Sequence, residues 1–162
     1  MRDAFSATIL PMTNGYDYTT IGGVIDAMYA SISFEPGQRP DWSTHHAIFE
    51  PGARMVRITD TGVYEFDNDS YIRNIEAMID DGSFPSFHEV ERWRTIWRFD
   101  SIAHVTSAYR SFSRPGGPEI DGGINSIQLL ERDGRWFISA MLWRREGATV
   151  RVPESAAALA TT

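Results

Sequence analysis

Gly123-Ile-Asn-Ser-Ile-Gln-Leu-Leu-Glu-Arg-Asp-Gly-Arg-Trp-Phe-Ile-Ser-Ala-Met-Leu-Trp-Arg-Arg145 reads as two long strands joined by a tight turn. Asp133-Gly134 supplies the two positive-φ positions of a type I′ turn, the strongest short-range hairpin signal. With Arg132 facing Arg135, Leu130 falls opposite Phe137, Gln128 opposite Ser139 and Ser126 opposite Met141. The other face carries Asn125, Ile127 and Leu129 against Ile138, Ala140 and Leu142, with Trp136 at the turn end. Both faces are substantially apolar. One is expected to cover a core and the other to meet a second chain.

Upstream, the pattern alternates in two-residue steps over Phe87–Phe99 and again from Ile102 to Ser113. In the first of these, one parity holds Phe87, Glu89, Glu91, Trp93, Thr95, Trp97 and Phe99. The other holds His88, Val90, Arg92, Arg94, Ile96 and Arg98. The aromatic parity is expected to face inward. Shorter strands are expected at Arg54–Thr59 and Val63–Phe66. Helices are expected over Thr19–Ile32, Asp41–Phe49 and Ser70–Asp80, where apolar residues recur at three- and four-residue spacing. Gly22 and Gly23 weaken the first helix by about 1 kcal/mol each against Ala, so something tertiary must hold that turn. The order predicts an α+β domain, with an arm over residues 1–18 and a tail over residues 147–162.

A chain of 162 residues suits one domain with a real core. The net charge of −7 argues against a nucleic-acid partner, which requires a basic patch. There is no cysteine, which excludes disulfides, thiolate catalysis and thiolate-bound metals. No apolar run approaches the ~20 residues of a membrane-spanning helix. The first residues are too weakly apolar for a signal-peptide core. The expectation is a cytoplasmic protein without a membrane or nucleic-acid partner.

Asn125-Ser-Ile-Gln-Leu129 and Gly134-Arg-Trp-Phe-Ile138 resemble the nuclear-transport-factor-2-like superfamily, and within it the SnoaL-like group of small bacterial proteins. Phe99-Asp-Ser-Ile-Ala-His-Val105, Ser107-Ala-Tyr109, and Asp41-Trp42 ahead of Phe49-Glu-Pro-Gly-Ala-Arg54 carry the same likeness. It spans roughly Tyr18 to Glu146. The resemblance implies a cystatin-like cone over residues 19–146: three N-terminal helices packed on a strongly curved antiparallel sheet, with a pocket at the wide end. It also implies a Tyr on the first helix, where Tyr29 stands, and polar groups on the late strands. Ketosteroid-isomerase-like members carry a basic carboxylate on the first strand, where this chain offers Arg57 or Ile58. That departure argues against isomerisation by that route. The scaffold hosts many activities, so it does not by itself name one.

Proton-shuttling chemistry in such a cone needs an acid or base shielded from water. Glu89 and Glu91 share the inward parity, where neighbouring indoles would raise a carboxyl pKa. The structural alternative is that both pair with arginines. His46, beside His45 on the helix face bearing Trp42 and Phe49, is a second candidate base or else a packing residue. Tyr29 or Asn125 would be the hydrogen-bonding electrophile. The expected pocket lining is Tyr29, Trp42, His46, Trp93, Trp97, Tyr109 and Asn125, holding a small apolar or aromatic ligand. Histidines at ligand spacing and Gly-rich phosphate loops are both missing, so neither metal nor cofactor is expected. Two readings stand: a cofactor-independent acid/base lyase or isomerase, and a non-catalytic ligand-binding or dimerisation module. A homodimer is expected through the outer sheet face, with Phe137, Met141 and Trp143 as contacts.

Overall fold

Three capped helices and six strands are seen in the computed structural model, which describes residues 14–159. Thr20 starts α1 (Ile21–Ile32), its hydroxyl accepting from the Gly23 N–H at 3.0 Å. The second glycine of the pair is explained here. A Cβ on Gly23 would lie 2.0 Å from the carbonyl oxygen of Asp17, so the incoming chain can turn tightly under the helix only at a glycine. Asp41 caps α2 (Trp42–Ile48), accepting from the Thr44 N–H. Asp67 and Ser70 form a reciprocal capping box at the start of α3 (Asn68–Asp80). That helix therefore begins two residues before the predicted Ser70.

The strands are β1 (Phe49–Thr59), β2 (Gly62–Phe66), β3 (His88–Phe99), β4 (Ile102–Phe112), β5 (Glu119–Arg132) and β6 (Arg135–Arg145). They form one sheet in the order β2-β1-β6-β5-β4-β3. Every neighbouring pair is antiparallel except β1 and β6, which run parallel. The sheet is thus mixed rather than purely antiparallel. The helices are not all N-terminal to it, because α3 follows β2. At the β5–β6 turn Asp133 and Gly134 have φ of 52° and 75°, and Arg132 faces Arg135 as expected.

The core lies between the helices and the inner sheet face. Val24, Ile25 and Met28 of α1 and Ile48 of α2 meet Met55, Val105, Ile127, Leu129 and Ile138 from the strands, all buried. Burying a large apolar side chain of this kind contributes roughly 1.5–3 kcal/mol. Tyr18 joins the core, and its carbonyl accepts from the Trp136 N–H at 2.9 Å. The rest of the predicted N-terminal arm, residues 1–13, lies outside the described residues. After β6 the chain is tied back at two points: Asp60 accepts from the Ala148 N–H, and Trp93 Nε1–H donates to the carbonyl of Pro153. Among the described residues no helix is long and apolar enough to cross a membrane.

Two bulges decide which side chains face the helices. In β3, Glu91 pairs with Tyr109 and Trp93 with Ala108, leaving Arg92 as an extra residue. A bulge shifts the period-2 alternation by one. Glu89 and Glu91 therefore face inward as expected, but Trp93 and Trp97 turn to the outer face and Arg94 and Arg98 turn in. Arg94 reaches the Gly22 carbonyl of α1, and Arg98 lies over the Trp136 ring. In β6, Gln128 pairs with Ala140 and Leu129 with Ile138, so Ser139 is the extra residue. Met141 and Trp143 consequently face inward, opposite Ile127 and Asn125. Of the three predicted dimer contacts only Phe137 stays on the outer face.

Candidate functional site

A cavity of about 300 Å³ opens between the helices and the inner sheet face. Met28 and Ile32 of α1, Trp42 and His45 of α2, and Tyr71, Ile75 and Met78 of α3 form its helical side. Phe84 and Phe87, ahead of β3, close one end. The sheet contributes Phe49 and Arg57 from β1, Glu89 from β3, Tyr109 and Ser111 from β4, Asn125 and Asp121 from β5, and Met141, Trp143 and Arg145 from β6. A mostly apolar lining with a few convergent polar groups is the usual make-up of a small-molecule site.

Glu89 is the outstanding group. Its carboxylate makes no ion pair and no hydrogen bond among the described residues, and the half-buried residue lines the cavity. Burial first, and the charge of Asp121 second, push its pKa up to about 8. Near neutral pH it is therefore largely a protonated acid. Asp121 differs, because Arg145 donates to it through Nε. Tyr71 and Tyr109 have phenol pKa values raised by burial, with the nearby charge of Glu89 as the second cause.

His45 is 1% exposed and stacks on Phe49 (ring centroids 4.3 Å apart) and on Tyr71 (5.5 Å). Neither ring nitrogen has a hydrogen-bond partner among the described residues. Burial, helped by the adjacent His46, lowers its pKa to about 4, so the imidazole is neutral. His46 itself is exposed and lies outside the cavity.

Asn125 connects the cavity to a buried chain of hydroxyls. Its Nδ2–H donates to the Tyr29 phenol oxygen at 3.1 Å. The phenol lies 2.5 Å from Ser107 Oγ, and the Ser107 hydroxyl donates to Glu91 Oε1 at 2.5 Å. Glu91 also accepts from Arg94 through an ion pair at 2.5 Å, so its carboxylate acts as an acceptor on both sides. That end fixes the direction of the whole chain. Ser107 spends its proton on Glu91, Tyr29 donates to Ser107, and Asn125 must donate to Tyr29. The amide is thereby oriented with Oδ1 free of protein donors and open to the cavity.

Of the residues expected to line the pocket, Trp42, Tyr109 and Asn125 do so. Tyr29 stands behind Asn125 rather than in the lining. Trp93 and Trp97 are on the outer face because of the Arg92 bulge, and Trp97 is 59% exposed. His46 is displaced by its neighbour His45, since α2 turns His45 inward between Phe49 and Tyr71. Glu91 is committed to Arg94 and Ser107, which leaves Glu89 as the carboxyl of the cavity. Arg57, Tyr71 and Trp143 join the lining unannounced by the sequence pattern. Among the described residues no three His, Asp or Glu side chains gather as a metal-holding group.

No family model and no curated sequence matches this chain. Solved structures do match. A cystatin-like-fold protein of unknown function from Nostoc punctiforme has a TM-score of 0.62 at 14% identity, covering 79% of this chain and 90% of that one. A nuclear transport factor 2-like superfamily protein from Salmonella enterica has a TM-score of 0.58 at 14% identity, covering 78% and 89%. A protein from Shewanella frigidimarina, provisionally assigned as a ketosteroid isomerase, has a TM-score of 0.56 at 18% identity, covering 80% and 97%. At these identities the likeness is one of fold. The chain has the cystatin-like, nuclear-transport-factor-2-like fold.

Proposed function

We propose that this protein binds a small, largely apolar or aromatic molecule in the cavity and moves a proton on it without a cofactor, as a lyase or isomerase does. Glu89 is the acid/base in this reading. The observation that carries it is a carboxyl without an ion partner among the described residues, in an aromatic cavity, with a pKa of about 8. A proton-transfer group is most effective when its pKa lies near the working pH, and burial is the usual device for raising a carboxyl that far. The neutral His45 and the oriented Asn125 Oδ1 supply hydrogen-bonding groups without competing charge. On this reading the sheet curves strongly around the helices as a cone, in the manner of the SnoaL-like group.

A second reading is a non-catalytic ligand-binding or dimerisation module. It is favoured by β1, which presents Arg57 and Ile58 where a basic carboxylate would be expected by resemblance. In either reading we propose a homodimer formed through the outer sheet face, supported by the exposed apolar rows on that face.

The deciding experiment is deuterium labelling. The protein is incubated with a metabolite extract in D₂O, and mass spectrometry identifies any compound that gains deuterium. The expected result is labelling by the native protein and none by Glu89→Gln. A native protein that binds a compound from the extract but labels nothing supports the binding module instead.

A further inference from the structure

We propose that the ligand of this cavity carries a carboxylate and that Arg57 binds it. The inference rests on the cavity being a ligand site, but not on Glu89 being catalytic. Two guanidinium groups line the cavity, and their situations differ. Arg145 is neutralised by Asp121. Arg57 makes no ion pair among the described residues, and its Nε is sealed from solvent without a hydrogen-bond acceptor. Its Nη donors are not sealed in this way, the residue being half-buried, and with no ion pair to hold them they are the donors a ligand can reach.

The surroundings of Arg57 orient it without satisfying it. Its Cζ lies 4.7 Å from the centroid of the Tyr64 ring and 5.7 Å from that of Phe66. Ring faces attract a cation but accept none of its in-plane N–H bonds in the way a carboxylate does. Glu89 is not the missing partner. Both groups line the cavity, yet no ion pair joins them among the described residues, and Tyr71 feels the charge of each.

Position strengthens the case. Arg57 sits between Tyr64 of β2 and Trp143 of β6 in the sheet register. It lines both the cavity and an open cleft of about 320 Å³ on the neighbouring surface. The two carboxylates of that cleft are already paired, Asp60 with Arg144 and Glu146 with Arg110. An anion arriving from the cleft meets Arg57 as a cation without a partner. An aromatic acid placed there would lay its ring beside Tyr71 and Trp143 and its carboxylate against the Nη edge of the guanidinium.

The test compares acids with their uncharged amides: cinnamate against cinnamamide, and 2-naphthoate against 2-naphthamide, by calorimetry at pH 7. The expected result is tighter binding of each acid by about tenfold to a hundredfold, the range of a charge-assisted hydrogen bond. Arg57→Met should abolish the preference while amide binding persists, and Arg57→Lys should retain part of it. Persistent amide binding also shows that the Met variant is folded. Equal binding of acid and amide by the native protein, or a preference that survives Arg57→Met, overturns the role of Arg57 and leaves the cavity reading intact. Failure of all four probes to bind overturns both.

Discussion

Glu89 and Glu91 stand two residues apart on the same side of β3, yet only Glu91 has partners. Ser107 donates to Glu91 at 2.5 Å and Arg94 pairs with it at 2.5 Å, while Glu89 faces the cavity without either kind of bond among the described residues. The difference follows from what lies opposite each. Glu91 meets the hydroxyl chain and a guanidinium brought inward by the Arg92 bulge. Glu89 meets aromatic rings and a like charge.

This predicts a pH dependence of stability. Glu89 is raised from 4.5 to about 8 in the folded protein. Between those values the unfolded chain has lost the proton and the folded chain still holds it, so rising pH favours unfolding. The stabilising contribution is fully present below about pH 4.5 and lost as pH climbs to about 8. Glu89→Gln removes the dependence. Relative to the native protein, it should gain stability of the order of a few kcal/mol between pH 5 and pH 9. Urea unfolding of both proteins across that range checks the sign. Parallel curves would show that Glu89 ionises normally.

The Tyr29–Ser107 contact is expected to be structural as well as orienting. Tyr29→Phe strands the Asn125 amide and removes the donor to Ser107, costing about 1–3 kcal/mol as a buried hydrogen-bond loss. Ser107→Ala breaks the same chain one link further on. The two losses should be non-additive by roughly 0.5 kcal/mol or more in a double-mutant cycle. Strict additivity would mean that the hydroxyls do not act together.

Much of the fold was legible in the sequence because its signals are local. Asp133-Gly134 specifies its turn by backbone sign, Asp41 caps α2, and the apolar spacing of Ile21 to Ile32 marks α1. The face assignments were not legible beyond the bulges. An extra Arg92 or Ser139 leaves no trace in an alternating pattern, yet each reverses everything after it. Thus Asn125 and Tyr109, read on unbroken stretches, reach the cavity, whereas Trp97 and Trp143 exchange faces. Arg57 was read only as a departure from the resemblance, and its place in the cavity was missed for a different reason. A charged residue on a strand predicts a solvent face, and only the fold shows that it lies against the Tyr64 and Phe66 rings at the cavity.

That exchange of faces has a spectroscopic consequence. Trp42 and Trp143 line the cavity, and Trp97 does not. Quenching of tryptophan emission by cinnamate should therefore fall in Trp143→Phe and in Trp42→Phe. In Trp97→Phe the quenched intensity should be unchanged, with only an unquenched background lost. A reduced quenched intensity in Trp97→Phe would place the ligand on the outer face.

The bulge in β3 also puts apolar side chains on the outer face. Phe99, Ile102, Leu130 and Phe137 form one row across four strands, and Trp97, His104, Gln128 and Ala140 form the next. Phe99 is 68% exposed, Trp97 59% and Ile102 51%. Single exposed apolar residues are ordinary, but a contiguous row such as Phe99, Ile102, Leu130 and Phe137, flanked by Trp97, is rare on the sheet face of a monomer. A two-fold pairing would lay this face on its own copy, burying the rows on both sides. The native protein is expected to run as a dimer in light scattering at micromolar concentration. Replacing Trp97 and Phe99 together by Ser should yield a monomer. Because both side chains lie in solvent in the single chain, the fold should survive, as judged by an unchanged far-ultraviolet spectrum. Loss of dimer with intact spectrum and intact cavity binding would assign association to this face. A native monomer at that concentration, or a dimer undisturbed by the double substitution, would remove the outer face from consideration as the contact.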